Sequence, residues 1–311
     1  MKQFLYTTSF FLLLIVMIFV IGVLLPATPI ASNSPLFSKI TKDSMLENVK
    51  KPRIIFVGGS NLSLGLNSKL IKDSLNLNPI NTGIHASLGL VYMMDSTLKH
   101  IKKGDVVVVV PEYQQFFGDV AYGGEELMRT VCDVKEINPL DLSLKQIKNC
   151  AVFIPKYALS KFKPSEYFYE KVDNCYTKNS FNKFGDSYKH WDIKSVNILT
   201  FDAMTDEFNE DVMQYLVYFN RNLQKKGAKM FISFPPYQED SYNNCVKSIK
   251  LLESEYKKNG FSVLGTPEQY KMKNELMFDT PYHLSRKGVT LRTQLLIKDL
   301  IHQGNLKNTN E

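Results

Sequence analysis

Two short segments, far apart in the chain, carry residue types that together activate a serine. Gly58-Gly59-Ser60-Asn61 follows directly on the apolar run Arg53–Val57. Asp279 and His283 stand four residues apart near the other end, just before Leu284-Ser285. A serine hydroxyl is a weak nucleophile until a base within about 3 Å takes its proton, and that base works best when a carboxylate orients it. Ser60 fits the nucleophile, His283 the base and Asp279 the orienter, which is the chemistry of acyl transfer. Each segment alone has a plainer reading. Gly-Gly-Ser is a common strand-to-helix turn, an acid near a histidine is often an ion pair, and Ser285 is a helix cap. Their joint presence is what points to chemistry. Gly58 and Gly59 are expected to supply positive φ and room for a substrate.

These residues need a scaffold, and the hydrophobic pattern supplies one. Strand signals at Ile54–Val57, Asn78–Gly83, Asp105–Val110, Lys229–Phe234 and Phe261–Leu264 alternate with helical spacing over 64–75, 89–101, 207–224, 242–259 and 285–302. The five consecutive valines of 106–110 read as a central strand buried on both faces. Strands separated by helices predict an α/β fold: three layers, α/β/α, with a mostly parallel sheet. Ligands of such sheets sit at the carboxyl ends of the strands. Ser60, Gly83 and Glu112 all fall there. Residues 118–205 break the alternation and read as an insertion. It is rich in aromatics, among them Tyr157, Tyr169, Tyr176 and the single tryptophan, Trp191. They are expected to form the insertion's own small core, the alternative being stacking on sugar faces. His85 is expected to be a hydrogen-bonded structural histidine beside the second block, the alternative being that it lines the pocket.

The blocks, in order, resemble the SGNH (GDSL-like) hydrolase superfamily. The resemblance rests on Gly58-Gly59-Ser60-Asn61, Asn81-Thr82-Gly83, and Asp279 through His283-Leu284, and spans 53–302. It implies Ser60 as nucleophile, His283 as base, Asp279 as its partner and the Gly83 N–H as an oxyanion donor. It implies no cofactor, and no Cys/His spacing suggests a metal. Two departures stand out. The family's third block supplies an Asn to the oxyanion, whereas Pro111-Glu112-Tyr113-Gln114-Gln115 follows the third strand here. The acid-to-histidine spacing is also one residue longer than usual. Both suit a divergent, membrane-anchored branch whose members accompany a multi-pass O-acyltransferase and act on envelope polysaccharides or teichoic acids. Asn61 or Gln114 is then expected to replace the missing donor, and Glu112 to cap the sheet edge or bind a substrate hydroxyl. The rival reading is a catalytically weak scaffold or sugar-binding partner of such an acyltransferase.

The first 30 residues fit that branch. Phe4–Leu25 carries no charge and is long enough to cross a bilayer. It outruns the apolar region of a removable signal, and Pro29 spoils the best cleavage site before Ala31. Lys2 on the short side puts the N-terminus in the cytoplasm and the rest outside. Residues 31–50 read as a polar tether, 51–305 as the catalytic domain and 306–311 as a polar tail. Cys132, Cys150, Cys175 and Cys245 permit a disulfide in the middle region. The net charge of +7 is scattered, so it suits an anionic envelope surface better than nucleic acid, for which no motif is present. A nucleotide-binding α/β protein is disfavoured, since there is no GxGxxG run and no phosphate-loop lysine.

Overall fold

A computed structural model describes residues 1–134, 138–168 and 175–306. Among the described residues seven strands form: β1 Arg53–Gly58, β2 Asn78–Asn81, β3 Val106–Val110, β4 Lys229–Ser233, β5 Tyr237–Gln238, β6 Val263–Leu264 and β7 Lys271–Met272. Five of them make one parallel sheet in the order β2-β1-β3-β4-β6, while β5 and β7 pair separately. The α/β, mostly parallel reading therefore stands, and strand and helix positions agree to within a few residues.

The period-2 geometry of strands explains the layers. Ile55, Val57, Val107 and Val109 enter one core, with Met93 of the helix Leu90–Leu98 and Leu216 and Phe219 of the helix Glu210–Lys225. Ile54, Phe56, Val108 and Val110 enter the other, with Ile71 of Ser68–Leu75 and Leu296 and Leu300 of Arg286–His302. Burial of each such side chain contributes roughly 1.5–3 kcal/mol, which is why the apolar runs lack polar alternation. Helix starts follow their caps. Asn67, Asn209 and Ser285 each accept a backbone N–H from the first turn that follows.

Sequence order places β2 on one side of β1 and β3 on the other. The chain thus reverses direction across the sheet between β1 and β3, where parallel sheets open a crevice at their carboxyl ends. Ser60 follows β1 and Glu112 follows β3.

Three expectations need correction. Residues 31–50 are not a tether. They hold the end of the helix Pro29–Asn33 and all of the helix Ser38–Asn48, and the second is bound into the domain. Lys42 is buried and donates to Asn81 O at 2.9 Å and Gly185 O at 2.6 Å. Burial pushes its ammonium down to about 7, against a smaller upward pull from Asp186. Arg53, wholly buried on Asp105, also donates to Leu46 O at that helix's end. A polar composition hid these interactions because they depend on partners distant in sequence. The four cysteines are free thiols. The insertion's aromatics do not share a core. Tyr157 is buried, but Phe162, Tyr167, Phe168, Tyr176 and Tyr188 are exposed, and Tyr169 lies outside the described residues. What fixes the insertion is polar. Asp186 accepts from Ser68 N and Oγ at 2.8 and 2.6 Å and from Asn81 Nδ2 at 2.9 Å. The expected tail falls, from 307 on, outside the described residues.

The N-terminal helix runs Lys2–Leu24, 23 residues. At 1.5 Å per residue it is about 35 Å long, enough for a hydrocarbon core of about 30 Å. An 18-residue stretch of this N-terminal segment has a mean hydropathy of 3.1 and is almost wholly exposed.

Candidate active site

β1 is buried along its length and delivers Ser60 at its end. Ser60 opens a single-turn helix, Ser60–Ser63. The glycines before it serve close approach rather than unusual φ, since neither has a positive φ. A Cβ on Gly58 would meet Val110 O at 2.5 Å, and one on Gly59 would meet Ala86 Cα at 2.9 Å and Glu112 Oε1 at 3.0 Å. The serine turn is thereby pressed between the second and third blocks. Ser60 Oγ donates to Glu112 Oε1 at 3.5 Å, and the Asn61 N–H donates to the same oxygen at 3.4 Å. Burial raises the Glu112 carboxyl above its ordinary range, against the opposing influence of His283 and these two donors.

The last block is a tight loop. The Phe278 N–H donates to His283 O at 2.8 Å, and the His283 N–H to Thr280 O at 3.2 Å. This turn brings His283 Nδ1 to 2.8 Å from Asp279 Oδ1. The Tyr176 hydroxyl donates to Asp279 Oδ2 and lies 3.2 Å from His283 Nδ1. Burial alone would raise the Asp279 carboxyl. The hydrogen bond and charge of His283, then the Tyr176 hydroxyl, outweigh it and hold the group below its ordinary value. Burial and Asp279 push the Tyr176 hydroxyl up, so it stays a donor. With Nδ1–H held by Asp279, Nε2 is the basic nitrogen.

Ser60, His283, Tyr176 and His85 line one cavity of about 90 Å³, closed by Leu64 and Ile84. Ser60 and His283 make no hydrogen bond across it. Such contacts are often long in an unliganded site and tighten around substrate. His85 Nδ1 accepts the Ser87 N–H at 3.1 Å, which leaves the proton of the neutral ring on Nε2. His85 and Pro35 also line a neighbouring cavity of about 260 Å³ that extends to Ile30, Arg129 and Glu166. A larger cavity of about 480 Å³, around His100 and Lys226, lies toward the amino ends of the strands and shares no residue with either.

The structure thus brings Ser60 and His283 to one cavity, with Glu112 hydrogen-bonded to Ser60 and Asp279 to His283, and engages three other expected residues elsewhere. The Gly83 N–H donates to Asn81 Oδ1 at 3.0 Å, and Gly83 lies against Gly59 O, so the expected oxyanion donor is already engaged. Asn61 is wholly buried and its Nδ2 donates to Val110 O at 3.0 Å, tying β1 to β3. Gln114 accepts from the Tyr282 hydroxyl and donates to Tyr237 OH at 3.4 Å, within a tyrosine cluster. Neither amide replaces the missing third-block Asn. Glu112 does more than cap the sheet edge, because its Oε1 accepts from Ser60 Oγ. Sequence reasoning missed Tyr176 as a site residue; His85 is both the hydrogen-bonded histidine and the pocket-lining residue that its two readings offered. No spacing links Tyr176 to a loop so far along the chain. His85, two residues past Gly83, was legible by position.

Among the described residues no group of three or more His, Cys, Asp or Glu is placed to hold a metal. No protein-family model and no curated protein matches the chain.

Proposed function

We propose that this chain is a membrane-anchored, extracytoplasmic SGNH-like serine esterase or O-acyltransferase. Its substrates are acyl groups, acetyl first among them, of cell-envelope polysaccharide. The observation that carries the reading is that Ser60 and His283, from opposite ends of the domain, line one small cavity at the carboxyl edge of the sheet, with Asp279 behind His283 at 2.8 Å. Ser60 Oγ attacks the ester carbonyl while His283 Nε2 takes its proton. The tetrahedral intermediate collapses, and His283 returns the proton to the departing alkoxide. The acyl-Ser60 ester is then attacked by water, or by a sugar hydroxyl, with His283 again as base. Asp279 steadies the imidazolium, and Tyr176 holds Asp279. With Gly83 and Asn61 engaged elsewhere, we assign the side-chain oxyanion donor to Glu112 as a neutral acid. Its Oε1 accepts from Ser60 and Asn61, which leaves Oε2–H to donate. The anchor and Lys2 support an outward-facing domain, and an adjacent multi-pass O-acyltransferase is the expected partner.

One observation favours the second reading, a sugar-binding or scaffolding partner of that acyltransferase: Ser60 is hydrogen-bonded to Glu112 and not to His283. The same experiment separates the two. The full-length chain in detergent is assayed on a chromogenic acetyl ester, beside Ser60→Ala and His283→Ala. Turnover lost in both variants supports the serine mechanism. A folded wild type without turnover, and polymer acetylation unchanged by Ser60→Ala in cells, refutes it in favour of the scaffold.

A further inference from the structure

The apolar helix is not free of the domain that follows it. Gly22, in its last turn, lies against the backbone of Ala158 so closely that a Cβ there would stand 2.5 Å from Ala158 O. Two polar clamps follow immediately: Lys161 Nζ donates to Pro26 O at 3.1 Å, and Thr28 Oγ1 donates to Glu166 Oε2 at 2.9 Å. Lys161 is itself held by Asp133 at 2.6 Å, so the clamp is tied into the insertion. The helix Ile154–Ser160 and the loop after it are therefore fixed at the level where the chain leaves the apolar helix.

That region exposes large apolar side chains on both sides of the contact. Val152 is 73% exposed and Phe168 83%, and Ile154, Leu159, Phe162 and Tyr167 are each more than a third exposed. In water such a cluster is unfavourable, at roughly 25 cal/mol per Å². Exposed Lys148 and Lys163 flank it. Apolar side chains edged by lysines, fixed at the depth of a span's end, match the headgroup–acyl boundary of a bilayer.

We infer that the face formed by 152–168 is a second membrane contact, seated in the outer leaflet beside the span, so that the domain lies on the bilayer rather than standing off it. The cavity lined by Ile30, Glu166 and His85, which adjoins the Ser60 cavity, then borders the membrane surface. The inference rests on reading Lys2–Leu24 as a span and is independent of whether Ser60 is catalytic.

Trp191 is the only tryptophan, which gives a direct test. Full-length Phe162→Trp, Phe168→Trp and a control, Leu251→Trp on the helix Glu239–Lys258, are reconstituted in liposomes of phosphatidylcholine and phosphatidylglycerol, with and without dibrominated acyl chains. All three positions are exposed, so each replacement spares the fold. The added emission at 162 and 168 is expected to fall roughly two-fold on bromination, because the rings would sit about 5–10 Å into the interface, near the brominated chains. Trp191 and Trp placed at 251 should not change. Emission at 162 and 168 that ignores bromination overturns the inference. If acrylamide quenches it, the face meets water; if acrylamide does not, a second copy or another protein covers it. A wild-type chain that fails to float with liposomes overturns the span and this face together, and leaves the esterase assay untouched.

Discussion

Replacing Glu112 tests the least conventional part of the site. Its Oε1 is reached by Ser60 Oγ at 3.5 Å and by the Asn61 N–H at 3.4 Å. Both distances exceed those of strong hydrogen bonds, so little ground-state binding is lost when the side chain engages a substrate oxyanion. Loss of one oxyanion donor typically costs about 2.7–4 kcal/mol, a factor of roughly 10²–10³ in kcat. Glu112→Ala is expected to fall in that range. Glu112→Gln keeps a donor of nearly the same shape and is expected to stay within roughly ten-fold of wild type, since a donor is retained. The pH profile is the sharper readout. Burial holds the Glu112 carboxyl above its ordinary value, and only the neutral acid donates. Wild-type kcat/KM should therefore decline as pH rises through the Glu112 pKa, and Glu112→Gln should lack that decline. Stability has the same sign. The folded state binds the proton more tightly than the unfolded state, so stability is present at low pH and lost as pH rises from the unfolded value through the folded one. Glu112→Gln should thus gain in Tm on the wild type at pH 8 and less so at pH 5. Stopped-time hydrolysis of a chromogenic ester from pH 5 to 9, with thermal melts across the same range, measures both. An alkaline limb that persists unchanged in Glu112→Gln, or full activity in Glu112→Ala, refutes the assignment.

Other outcomes follow from the same contacts. Ser60→Ala and His283→Ala should each lose on the order of 10⁴-fold or more in kcat, and the double variant little beyond either, because the groups act as a unit. Tyr176→Phe removes one donor to the Asp279 carboxylate, a charged hydrogen bond of about 1.5–3 kcal/mol, and should slow turnover roughly ten-fold or more at neutral pH. It should also move acid unfolding upward in pH. Asp279 is depressed in the folded state, so its contribution is present above the unfolded value and lost as pH falls through the folded one. Weakening the depression brings that loss to higher pH, which acid titration by circular dichroism detects. Asp105→Ala strands the wholly buried Arg53 guanidinium, at a cost of about 3–5 kcal/mol, and should lower the urea midpoint without touching the site.

The fold was legible because its main determinants are local. Five valines in a row, an asparagine or serine before three of the helical runs, and glycines at turns fix strands and helices through neighbours a few residues away. What was misread depends on distant partners. Nothing in Ser38–Asn48 announces that Lys42 ends on the carbonyls of Asn81 and Gly185, or that Leu46 O caps Arg53. The aromatics of the insertion looked like a core because composition does not record which way a side chain points. Most of them point outward, and several do so beside the end of the apolar helix.

The candidate site divides along the same line. Ser60, Asp279 and His283 sit in short segments whose own turns hold them, so their types and spacing were enough to bring them forward as candidates. The proposed oxyanion side was not local. Whether Gly83, Asn61, Gln114 or Glu112 faces the serine is decided by how tightly β1 and β3 close, and that is set by Gly58 against Val110 O. At that separation Asn61 Nδ2 reaches Val110 O and is consumed there. Asn81, which anchors Asp186 of the insertion, consumes the Gly83 N–H. Two donors are thus spent holding blocks together, and the acid on the strand across the crevice is the side chain left beside the hydroxyl. A substitution that frees one of them separates structure from catalysis. Asn81→Ala releases the Gly83 N–H but also unpins the insertion, so a gain in turnover there, at any loss of stability, would show that oxyanion stabilisation and not fold integrity limits this site.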